Sequence, residues 1–116
     1  MWVFTRHGFI SVVAHRDKPN TMLVRARCAK HLEAILPGVQ VHYTPHADYR
    51  FRATVPREMF LGRLLGELGD IDYDNFKNTI PDVEYHDAAQ EVWQVMHKIQ
   101  PGSNPFKQHL SPYNHY

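Results

Sequence analysis

Met22-Leu23-Val24-Arg25-Ala26-Arg27 alternates along its length, and the residues that follow it do not. Successive side chains of a strand point to opposite faces, so Leu23, Arg25 and Arg27 share one face and Met22, Val24 and Ala26 the other. From Ala29 the period lengthens. Leu32, Ile35 and Leu36 recur at helical spacing, and Pro37-Gly38 stops the helix. Residues 39–43 return to strand chemistry, and Thr44-Pro45-His46-Ala47 connects them to the clearest strand of the chain, 48–55. There Tyr49, Phe51, Ala53 and Val55 fall on one face and Arg50, Arg52 and Thr54 on the other. Pro56 suits the first turn of a second helix, where its missing N–H would be unpaired anyway. Met59, Phe60, Leu64, Leu65 and Leu68 give that helix an apolar stripe, and Gly69 is its stop. Strand, helix, strand, strand, helix over 22–68 predicts a ferredoxin-like split unit.

Residues 2–6 and 9–13 are rich in aromatic and β-branched residues on either side of His7-Gly8, which predicts an added N-terminal hairpin. Residues 15–20 read as a loop. After Gly69, Ile71-Asp72-Tyr73-Asp74-Asn75-Phe76-Lys77-Asn78 predicts a short helical turn capped by Asp72 or Asp74. Asp82 caps a last helix with Ala88, Ala89, Val92, Trp93, Met96 and Ile99 on one stripe, ended by Pro101-Gly102. The expected fold is α+β: an antiparallel sheet of about five strands with two to three helices on one face. The 116 residues suit one domain, over 1–102, with 103–116 as a flexible or docked tail.

The single cysteine, Cys28, permits no intrachain disulfide and argues for a reducing compartment. No apolar run approaches the ~20 residues that cross a bilayer, and the N-terminus lacks the layout of a signal peptide. The expectation is a cytoplasmic protein with no membrane partner. Charge is unevenly placed: residues 1–57 hold nine Lys/Arg against three Asp/Glu, and residues 58–116 hold four against nine. Such halves attract each other within a fold or present separate faces to partners.

Arg25/Arg27 and Arg50/Arg52 are i, i+2 pairs, so each pair projects from one strand face. Guanidinium suits phosphate or carboxylate recognition because it stays charged and bonds in a bidentate fork. His42, Tyr43 or Tyr49 would add stacking, as in sheet-based RNA binders. The plainer alternative pairs these arginines with Asp72, Asp74, Glu84 or Asp87 inside the fold. No RNP-type or helix-turn-helix motif is present. The nine histidines include His42 and His46 near Asp48, and His86 and His97 with Asp82, but no ligand motif of known spacing. Asp72 and Asp74 are paired carboxylates of the kind that hold Mg²⁺, and equally a helix cap. Cys28 at a strand–helix junction is expected to be small and buried, and Ser11 joins no triad. Trp2, Phe4, Phe9, Phe60 and Trp93 are expected in the core. No catalytic residue, metal or cofactor is assigned.

Taken together, Met1-Trp2-Val3-Phe4-Thr5-Arg6-His7-Gly8-Phe9, Leu23-Val24-Arg25-Ala26-Arg27, Asp48-Tyr49-Arg50-Phe51-Arg52, the 71–78 segment and Val92-Trp93-Gln94-Val95-Met96 resemble a family of small bacterial and phage proteins of unknown function. The likeness covers about residues 1–99. The resemblance implies no catalytic role. It does imply that the four arginines and the Asp72-to-Asn78 segment belong to one site or one shared network, and a phage setting would allow action against a host defence system. The function expected is a non-enzymatic binding or regulatory protein. It would engage an acidic partner, a protein surface or nucleic acid, through Arg25, Arg27, Arg50, Arg52, Tyr49, Asp72, Tyr73, Asp74 and Lys77. The alternatives are a small enzyme acting on a phosphorylated or nucleic-acid substrate, and a structural homodimer.

Overall fold

A computed structural model of the chain describes residues 1–102, and the expected tail over 103–116 lies outside the described residues. The chain divides into two compact units, Met1–Ile71 and the part from Asp72 onward.

The first unit is a five-stranded sheet with two helices. Its strands are β1 (Trp2–Thr5), β2 (Gly8–Ala14), β3 (Thr21–Ala26), β4 (His42–Tyr43) and β5 (Phe51–Pro56), in the order β1-β2-β3-β5-β4, every pair antiparallel. Helix α1 (Ala29–Ile35) leads from β3 to β4, with β5 inserted between those two strands. Helix α2 (Arg57–Gly69) follows β5 directly. This is the antiparallel α+β architecture that the alternating periods predict, and nothing in the strand order conflicts with a ferredoxin-like split unit.

The core lies on one face of the sheet. Ile10, Val12, Val24, Ala26, Ala53 and Val55 meet Leu32, Ile35 and Leu36 at α1 and Phe60 of α2, with Val3, Met22 and Leu64 packed against them. These strand residues share one parity, so α1 and α2 cover the same face. Gly8 fixes how closely α1 approaches the first hairpin: a Cβ there would lie 2.5 Å from His31 Cβ and 2.8 Å from its Cα. The Phe9 N–H donates to His31 Nδ1 at 3.2 Å, tying the same two elements. The hairpin turn itself is Arg6-His7 rather than His7-Gly8, with Thr5 facing Gly8. Thr5 Oγ1 accepts from the N–H groups of His7 (3.1 Å) and Gly8 (3.2 Å).

Several sequence expectations shift. The strand expected over 39–43 contracts to two residues. Pro56 ends β5 opposite Thr21 instead of opening the helix, which starts at Arg57; the Arg57 N–H is taken by the carbonyl of Asn20, which sits at φ 53°. On α2 only Phe60 is buried, while Leu65 (70 %) and Leu68 (58 %) are exposed, so the buried stripe is narrower than the apolar residues suggest. Cys28 is exposed.

The second unit holds a 3-10 turn, Lys77–Thr79, and helix α3 (Val83–His97). Asp82 caps α3 as expected, its Oδ2 accepting from the Tyr85 N–H at 2.9 Å. The turn is different: the Asn78 N–H goes to Asn75 Oδ1 at 3.4 Å, not to Asp72 or Asp74. Tyr85 and Ala89 are the buried residues of α3, whereas Trp93 is 53 % exposed. Among the described residues, no helix is long and apolar enough to cross a membrane.

Candidate anion-binding face

The side of the sheet away from α1 and α2, the far face, carries the other parity of every strand. Register places Trp2 beside Ser11, Ser11 beside Arg25, Arg25 beside Arg52, and Arg52 beside His42. One row therefore crosses all five strands. Phe4 faces Phe9 in the neighbouring row.

Arg25 stands at the centre. Its Nη2 donates to Ser11 Oγ at 2.7 Å, and its guanidinium carbon lies 4.8 Å from the centroid of the Tyr49 ring. Arg27 presses on the same ring at 4.3 Å. The ring is 5 % exposed, and Phe9 lies 6.5 Å from it. Strict alternation along 48–55 predicts Tyr49 beside Ala53 and Val55, on the opposite face. The strand begins only at Phe51, and residues 47–49 bend ahead of it, so alternation does not extend to Tyr49. The Arg52 Nε–H donates to the Tyr49 carbonyl at 3.1 Å, which holds the bend against β5.

Partners for these cations are few. Arg27 Nη1 reaches Asp48 Oδ1 at 2.9 Å, and that hydrogen bond raises the Arg27 guanidinium further above its ordinary value. Both side chains are well exposed, 51 % and 75 %, so the pair is worth about 0.2–1 kcal/mol. Among the described residues of Met1–Ile71, Asp48 is the one carboxylate that pairs with any of the four arginines. Arg25 Nε is buried with no hydrogen-bond partner. The side chain is only partly buried, with one hydroxyl and one ring face as partners, so an anion seated on the face would add acceptors to its guanidinium.

The structure thus brings together Arg25, Arg27, Arg52 and Tyr49, with Arg50 exposed two residues ahead of Arg52. The other expected site residues fall in the second unit. Lys77 Nζ lies 4.9 Å from the centroid of the Trp93 ring, Tyr73 packs 6.1 Å from Phe76, and Asp74 is exposed. Asp72 and Tyr73 each have interaction partners. Among the described residues, no group of three or more His, Cys, Asp or Glu side chains converges as a metal site would require.

Sequence reasoning missed Ser11, the bonding partner of Arg25, and misplaced the N-terminal aromatics. Trp2 is 69 % exposed, and Phe4 and Phe9 are half-buried on the far face, stacked at 4.5 Å. The missing signal was parity: Val3, Ile10 and Val12 alternate with them and supply the core from the same strands.

No protein-family model matches the chain, and neither the search of curated proteins nor that of solved structures finds a match.

Proposed function

We propose that this chain is a non-enzymatic binding protein that takes an acidic partner onto the far face of its sheet through Arg25, Arg27, Arg50 and Arg52. The observation that supports it is the half-buried Arg25, whose Nε lacks a partner while its Nη2 rests on Ser11. Three more guanidiniums share its two strands or their immediate ends, and Asp48 neutralises one of them. Among the described residues Asp48 is the one carboxylate paired with these four guanidiniums, and an anion on the face would supply acceptors to the others. The cytoplasm, where the exposed Cys28 thiol stays reduced, fits this role.

Chromatography on immobilised heparin, a polyanion with no sequence of its own, tests the reading. Wild-type chain is retained and released by salt, because exposed charges are screened within about 10 Å at 0.1 M. The double variant Arg50→Glu, Arg52→Glu, shown folded by circular dichroism, elutes at less than half that salt concentration. Equal elution of the two proteins would falsify the proposal.

A further inference from the structure

We infer that the acidic partner is a single-stranded polynucleotide, whose bases stack on the β1–β2 aromatics while its phosphates meet the arginines. This deepens the binding role proposed above and rests on it.

The row Trp2, Ser11, Arg25, Arg52, His42 runs without interruption from one edge of the sheet to the other. Four inter-strand steps of about 4.8 Å make it roughly 19 Å long. Its charged middle answers a phosphate backbone. Its β1 end is aromatic: Trp2 meets Phe9 edge-on at 6.1 Å, and Phe9 stacks on Phe4. Trp2 is 69 % exposed, a large flat ring left in water beside a cationic patch.

An acidic protein surface would satisfy the guanidiniums and leave that ring unused. A single strand uses both, because it offers phosphate and π-face at alternating positions along one chain. The row's length suits roughly two or three stacked bases, the number that sheet-based RNA binders take on their aromatics. A duplex keeps its bases stacked inside and presents no π-face to Trp2. The cation–ring contacts at Tyr49 keep Arg25 and Arg27 lying across the sheet surface, where a backbone passing over the face would meet them.

The experiment uses the full chain carrying Trp93→Phe, so that Trp2 is its one tryptophan. Its emission is titrated with twelve-nucleotide oligothymidylate and oligouridylate, with a blunt duplex of the same length, and with poly-L-glutamate. Stacking predicts quenching by the single strands and not by poly-L-glutamate, and the two single-strand arms separate DNA from RNA. Anisotropy of labelled oligonucleotide then gives affinities: Trp2→Ala weakens binding about tenfold. Arg50→Ala lowers the slope of log K against log salt by about 0.7, the share of one phosphate contact on a single strand. Arg50 is exposed, so this variant keeps its fold.

Binding of poly-L-glutamate or duplex as tightly as the single strands, or unchanged affinity in Trp2→Ala, overturns the inference and leaves the acidic-partner reading standing. Failure of all four polyanions to bind removes both.

Discussion

The two faces of one sheet do opposite things with the same five strands. On the near face Ile10, Val24 and Ala53 are fully buried beneath α1 and α2, within a cluster of apolar side chains. One residue along each strand, the far face sets Ser11, Arg25 and Arg52 in a row, with a buried nitrogen unpaired. The near face gains free energy by leaving water. The far face gains less, since the partly buried Arg25 keeps one nitrogen out of water without an acceptor. Alternation separates the two roles cleanly: one parity suffices for a core, and the other is then available for recognition. Mutations on the near face should therefore move stability, and those on the far face should move binding.

The largest expected effect is on the near face. Leu32 is fully buried at the centre of α1, and Leu32→Ala should cost about 2–5 kcal/mol of unfolding free energy, read from the denaturant midpoint. A loss below about 1 kcal/mol would mean that α1 is not what seals this face. Gly8→Ala comes next. Its new methyl would overlap His31 Cβ and backbone together, so α1 must shift from the hairpin, at about 1–3 kcal/mol in a thermal melt. Both variants leave the arginines in place, and any folded population should still bind heparin.

Arg25→Met inverts the pattern. It keeps an unbranched chain over Tyr49 and removes the buried, unpaired Nε. Removing a poorly compensated cation is often neutral or stabilising, so stability should change by less than about 1 kcal/mol or rise, while heparin retention falls. Destabilisation beyond about 2 kcal/mol would assign Arg25 to the architecture and erase the contrast between the faces.

The same contrast explains what was legible in the sequence. Period changes at Ala29 and again in β5 reveal the order of strands and helices, because periodicity is a local property. The faces of β3 are equally plain, with Met22, Val24 and Ala26 inward and Arg25 outward. Tyr49 was illegible because a bend breaks alternation just before β5, and nothing in Ala47-Asp48-Tyr49 marks where pairing begins. Trp2 and Phe9 were misread by residue type, since size suggests core when parity is ignored. Ser11 was invisible as a site residue because its role depends on the β2–β3 register, a long-range property. Leu65 and Leu68 on α2 and Trp93 on α3 fit a helical stripe and are nonetheless exposed.

The smallest expected effect concerns Asp48, the carboxylate that pairs with Arg27. Its pair with Arg27 sits in water, so Asp48→Asn should change stability by about 0.5 kcal/mol or less. Titration will not reveal the pair through Arg27: its folded value is raised, so its share is complete below the ordinary arginine value and is lost only above it, far from neutral pH. Binding should reveal it. If Asp48 competes with the ligand for Arg27, Asp48→Asn frees that guanidinium, and elution from heparin moves to higher salt. If Asp48 instead orients Arg27 across the Tyr49 ring, elution moves to lower salt. We expect the first outcome, because the 4.3 Å ring contact holds Arg27 in place whether or not the carboxylate is present.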